Sequence, residues 1–200
     1  TINGKTINAN NYEYSIVRAW LNSYNGSGYR VNDYSSFTAG DYQNNGFYNQ
    51  AFSQKEKSII LTTEVDNSAE TTESTTNPYT CNNTNDKIWA LSFQDSINQN
   101  YGFENTRGAS ATRQKMFTDY ARANYAYYTS RYPYKGMWWL RSASPNYNYY
   151  VKYASYDGSN TGDYVYTTGV GVAPALKINL NSSDLVNDDT TSGYSIYNTG

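Results

Sequence analysis

The chain has 200 residues, a net charge of −2 and only 16% charged residues, so one domain with a real core is expected, its polar surface built from Asn, Ser, Thr and Tyr. Histidine is absent and cysteine occurs once, at Cys81; this excludes Ser-His and Cys-His catalysis, an internal disulfide and a thiolate metal cluster. No Lys/Arg block marks a nucleic-acid footprint, no apolar run nears the roughly 18 residues of a membrane span, and Thr1–Asn10 lacks the basic head and apolar centre of a signal peptide, as in a mature or trimmed fragment.

In chain order, Ser15 caps a short helix over Tyr14–Asn22, with Ile16, Trp20 and Leu21 as its apolar stripe and Ala19 beside it. The Gly- and Tyr-rich Asn25–Asn49 reads as a long loop. Ser53 and Glu56 have capping-box spacing and start a second helix. Ile59–Val65 is β-prone. Asp66–Thr84, rich in Ser, Thr and Asn and holding Pro78, reads as a loop that packs little. Asp86–Leu91 is a short apolar strand, Ser92-Phe93-Gln94-Asp95 repeats the capping signal, and Thr118 caps a helix to Asn124. From Gly136 the chain is β. Val170, Val172, Pro174, Leu176, Ile178 and Leu180 alternate as one half-buried strand, with an edge or bulge at Pro174. Asn181–Gly200 reads as a flexible polar tail after a 1–180 domain. Helices first and a compact antiparallel sheet after them make an α+β fold.

Six segments occur in a characteristic order: YSIVRAWLN, AFSQKEKSII, NDKIWALS, TDYARAN, WWLRSAS and GVGVAPALKI. Together they resemble a bacterial WWLRS/GVRPAL-type domain family. The resemblance implies a C-type-lectin-like fold, shared with formylglycine-generating enzymes and with the variable proteins of diversity-generating retroelements. It covers about Tyr12–Leu180. The family's Gly-Val-Arg-Pro-Ala-Leu becomes Val172-Ala173-Pro174 here, so its arginine is lost or moved. Only Thr1–Glu13 precede the first helix, where the family places strands, which implies truncation. One cysteine cannot reproduce the cysteine pair of the enzymes.

Trp138 and Trp139 are consecutive in a strand and therefore face opposite sides, as core builders. Arg141 shares a face with Trp139; a structural ion pair is favoured over a ligand anchor. Cys81 has no basic neighbour to lower its pKa and is read as passive. Asp188-Asp189, in the polar tail, is read as a solvated pair rather than a cation site. The informative stretch is Asn146–Tyr166. It carries Asn146, Tyr147, Asn148, Tyr149, Tyr150, Lys152, Tyr153, Ser155, Tyr156, Asn160, Asp163, Tyr164 and Tyr166. Tyr, Ser, Gly and Asn are the vocabulary of antibody loops, because Tyr gives large amphipathic contact with few torsions to freeze. Randomised adenines in an Asn codon also yield Tyr, Ser, Asp and Thr, as in a retroelement variable protein. The bland alternative is an AT-rich gene, since Tyr12, Tyr14, Tyr24 and Tyr29 lie outside the stretch.

The expectation is a non-enzymatic binding module, without cofactor or metal, whose tyrosines cluster on one exposed face with Asn148, Lys152 and Asn160. Its ligand is an unidentified protein or glycan, and its setting extracellular or the bacterial cell surface. The alternative is a structural or adhesion module without a ligand. A carboxylate-based glycan hydrolase ranks lower, since Glu56, Glu64 and Glu104 form no recognisable constellation. Val151 and Ala154, both apolar, have an odd separation that a bulge or a loop would resolve.

Overall fold

The computed structural model describes residues 7–26, 40–126, 128–129 and 131–182. The fold is mixed α+β, with few short helices and small, mostly antiparallel sheets. Helix α1 (Ile16–Asn22) opens on Ser15, whose side chain accepts from the Arg18 N–H, and ends in a left-handed Ser23. Ala19 and Leu21 are its buried residues; Ile16 and Trp20 stay half-exposed, Trp20 against Phe47. Helix α2 (Phe47–Ala51) follows, then α3 (Gln54–Ile59) with the full reciprocal capping box of Ser53 and Glu56. So the reading of Asn25–Asn49 as loop misses the start of α2, while residues 27–39 lie outside the described ones.

Strand β1 (Thr63–Val65) pairs antiparallel with β2 (Thr84–Asp86), and β3 (Trp89–Ala90) follows at once. Of the β-prone Ile59–Val65, only the last three residues form a strand. The segment between β1 and β2 corrects the expectation of a loop that packs little. Asn67, Thr72 and Asn77 are buried. The Asn67 amide donates to the Asn82 carbonyl and Thr84 Oγ1, and the Asn77 amide donates to the Ala143 carbonyl at 2.9 Å. Polar side chains bury well when each finds a partner, which composition alone does not reveal. Ser92 and Asp95 do exchange hydrogen bonds, but they cap a single 3₁₀ turn, Asp95–Ile97, not an α-helix.

Next come β4 (Lys115–Met116), α4 (Asp119–Ala123) capped by Thr118, β5 (Tyr128–Thr129) and β6 (Tyr132–Gly136). The central sheet is built from β7 (Trp138–Ala143), β8 (Tyr150–Ala154), β9 (Asn160–Tyr164) and β10 (Gly171–Val172), in the order β10-β7-β8-β9. β10 pairs with β7 in parallel, and β11 (Pro174–Ala175) pairs antiparallel with β3.

The single alternating strand expected over Val170–Leu180 is therefore two short pieces in two sheets. Its large even-numbered side chains do not form the buried face. Pro174 is exposed, Ile178 is 42% exposed and Leu180 76%. The small odd-numbered ones face inward instead: Ala173 packs against Trp138, Leu140 and Ala154, and Ala175 against Tyr12, Val65, Trp89 and Ala90. Tryptophan rings already fill that space, so only a methyl fits between strand and core. Residues 183–200, with Asp188-Asp189 and most of the expected tail, lie outside the described residues.

Every residue of β7 is buried. Both of its faces are therefore covered, and Trp138 and Trp139 are core residues as read. The β7–β8 register runs from Trp139 opposite Tyr153 to Ala143 opposite Val151, four steps on β7 against two on β8. The bulge belongs to β7, while β8 pairs regularly with β9. Val151 and Ala154 thus do face opposite sides of a regular strand. The bulge also re-aims Arg141 and Ser142. Arg141 Nη1 meets Asp95 at 2.7 Å, the ion pair whose partner the sequence leaves open. Ser142 Oγ accepts from the Phe93 N–H and donates to the Thr71 carbonyl.

Candidate functional site

The β8–β9 hairpin holds the tyrosine-rich stretch, and its tip is anchored from below. Gly158, at φ +80°, lies so close to the Ser110 carbonyl that a side chain there has no room. Ser110 N–H donates to the Asp157 carbonyl and Asn160 N–H to the Arg107 carbonyl. Arg113, fully buried, sends its guanidinium to four backbone carbonyls, of Gly158, Ser96, Glu104 and Gly108. The other end of the hairpin is clasped by Asn10. Its amide donates at 2.9 Å to the carbonyls of both Tyr147 and Tyr150, and its backbone N–H donates to that of Asn148.

At that clasped end five tyrosines form an unbroken ladder of ring contacts. Tyr147 stacks on Tyr149 at 5.6 Å, Tyr149 lies nearly parallel to Tyr164 at 5.6 Å, and Tyr164 stacks on Tyr166 at 4.8 Å. Tyr150 fills the inside of the row, edge-on to Tyr164 at 4.6 Å. Cross-strand pairing of Tyr150 with Tyr164 sets this geometry. The two end rings are the most open, Tyr147 at 49% and Tyr166 at 39%. The Tyr150 hydroxyl is engaged by that of Tyr164, and this pushes its pKa up to about 12. Asn146 and Asn148 flank the ladder and are exposed.

The remaining residues of the stretch do not join this face. Tyr153 stands edge-on to Trp139 on the opposite side of the sheet, and Tyr156 packs on Tyr132. Lys152 is buried and ion-paired to Glu73, which also binds Arg107. Asn160 donates to Ser96 Oγ. Ser155 is buried in the turn, and Asp163 accepts from the Tyr164 N–H. The expectation of one face shared with Lys152 and Asn160 is thus corrected to a five-tyrosine ladder. Alternation along β8 and a ready carboxylate at Glu73 draw Lys152 inward. Asn10, Glu73 and Arg113, which hold the hairpin, carry no signal in the sequence that would single them out.

Burial pushes the Cys81 thiol up to about 11, which suits the passive reading. Glu56 is engaged in its capping box, Glu64 accepts from Asn83 and Glu104 is exposed. Among the described residues no group of His, Cys, Asp and Glu is arranged to hold a metal ion, and no helix is long and apolar enough to cross a membrane.

A family described as "Domain of unknown function (DUF6273)" matches residues 1–180 of the 200. The chain belongs to the DUF6273 family. No curated protein and no solved structure matches it. Within this DUF6273 domain the ladder is the largest continuous set of aromatic contacts among the described residues.

Proposed function

We propose that this DUF6273 domain is a non-enzymatic binding module with a C-type-lectin-like fold, which presents the tyrosine ladder to a protein or glycan at the bacterial surface. The observation that carries the reading is the ladder itself: five rings in contact, open at both ends and held on a hairpin braced from above and below. Clustered exposed aromatics are costly in water and belong at interaction sites. Stacked phenols offer flat apolar faces and hydroxyl rims, and their few torsions are already fixed by mutual contact. The α+β architecture and the ordered motifs support the lectin-like part. The Asn, Tyr, Ser, Asp and Thr content of the hairpin supports diversification by a retroelement.

The test is a screen of glycan and surface-protein arrays with the wild type and with a Tyr147→Ser/Tyr149→Ser/Tyr166→Ser variant. The expected result is a wild-type ligand whose binding the variant loses while its circular dichroism is unchanged. Truncating an interface tyrosine commonly costs about 2 kcal/mol, so three remove most of the affinity. Equal binding by the variant, or no ligand for the wild type, counts against the reading. A reverse transcriptase and a near-copy of the hairpin's coding sequence beside the gene would support diversification.

A further inference from the structure

A cavity of about 110 Å³ lies on the other side of Asn10 from the ladder, between the first turn of α1 and the central sheet. Its walls are largely apolar: Ile16, Val17, Trp139, Leu140, Val151 and Val165. Three polar residues interrupt them, Asn10, Tyr12 and Arg141, all more than nine-tenths buried. Each leaves one polar atom without a hydrogen-bonding partner: Asn10 Oδ1, the Tyr12 hydroxyl and Arg141 Nε. Buried polar atoms are satisfied in nearly all folded proteins, so three at one cavity wall call for a ligand.

Their chemistry is specific. The Asn10 amide nitrogen faces two carbonyl oxygens, which fixes the amide orientation and leaves Oδ1 as an acceptor. Arg141 commits both Nη atoms, to the Ala90 and Asp66 carbonyls and to Asp95, and leaves the Nε–H as a donor. Its charge is already balanced by Asp95, so the cavity does not call for an anion. Burial raises the Tyr12 pKa, so its O–H stays protonated and is a second donor. Two donors and one acceptor complement one functional group in particular: an alcohol hydroxyl, which accepts twice and donates once. The same three residues also wall a neighbouring void of about 10 Å³, room for an oxygen but not for a carbon body.

We propose that this cavity is a binding site for a small apolar alcohol, with its hydroxyl on Asn10, Tyr12 and Arg141 and its hydrocarbon body against Trp139, Leu140 and Val151. The site is separate from the tyrosine ladder and does not depend on that surface having a ligand. Isobutanol and isobutyl chloride, equal in shape and heavy-atom count, are titrated into the full chain, and the Trp139 indole and Val151 methyl signals are followed by NMR. Isobutanol saturates these signals and binds about fivefold tighter or more than the chloride, the discrimination that one net hydrogen bond supplies. Tyr12→Phe narrows that preference, and Val17→Phe, which fills the cavity from α1, abolishes binding of both probes. Non-saturable shifts with isobutanol, equal affinity for the two probes, or unchanged binding to folded Val17→Phe would each overturn the proposal; water alone would then satisfy these atoms. If Tyr12→Phe does not fold, the probe comparison and Val17→Phe still decide.

Discussion

Replacing Arg113 by Met probes what holds the hairpin in place. The two side chains are similar in length, so the change removes donors without leaving a large void. Arg113 has no carboxylate in its hydrogen-bonding shell; its partners are four backbone carbonyls, with Nε to Gly158 and Nη2 to Gly108 both at 2.6 Å. Its own carbonyl accepts from the Trp138 indole at 3.0 Å, a contact the variant retains. Two of the four carbonyls, those of Gly158 and Ser96, are in buried hydrogen bonds and stay unpaired after the substitution. An orphaned buried acceptor costs about 1–3 kcal/mol, and the two outer carbonyls can turn to water. Relief from burying a guanidinium returns part of that. The net expectation is a loss of about 3 kcal/mol, a large share of the roughly 5–15 kcal/mol that folds a domain. Urea unfolding followed by circular dichroism measures it, with an expected fall in melting temperature of about 10 °C. Hydrogen exchange should locate the damage, with the amides of Ser110 and Asn160 losing protection first. A loss under about 1 kcal/mol with those amides still protected would refute the bracing role of Arg113.

Three further outcomes are expected. Ser15→Ala removes the acceptor for the Arg18 N–H and should cost about 1 kcal/mol in urea unfolding. Gly158→Ala forces a side chain to φ +80° against the Ser110 carbonyl, so it should destabilise by more than the roughly 1 kcal/mol of a left-handed alanine, where an ordinary Gly→Ala change would be neutral or favourable. Asp95→Asn should flatten the acid limb of stability: burial works to raise the Asp95 pKa, but Arg141 and the Ser92 N–H outweigh it and hold it below the ordinary carboxylate value. The folded state then binds fewer protons than the unfolded one, and stability present above about pH 4 is lost as pH falls through the lowered pKa; an identical pH profile for the two proteins would count against that pair.

What the sequence makes legible here is local. Ser15, Ser53 with Glu56, and Thr118 each announce a helix start, because a cap is a contact between residues three apart. The buried β7 tryptophans are equally readable from their bulk and position. Long-range partners are not. Nothing near Arg141 in the chain points to Asp95, and nothing near Lys152 points to Glu73. The error over Val170–Leu180 has the same origin: alternation reports a face only when one sheet supplies the neighbours, and here Ala173 and Ala175 meet two different cores. For the tyrosine stretch, composition identified the segment, while the division into ladder, Tyr153 and Tyr156 depended on the strand pairing of β8 with β9.

The polar packing of the segment between β1 and β2 extends through the whole interior. Among the described residues, as many polar or charged side chains as apolar ones are buried. Unfolding such an interior hydrates amides and hydroxyls along with hydrocarbon, and the two contribute to heat capacity with opposite signs. The heat-capacity increment of this domain should therefore fall below the roughly 12–15 cal/mol/K per residue of ordinary globular proteins. With a smaller increment, its free energy of folding varies little with temperature, and the domain holds much the same fraction folded in cold water as in warm.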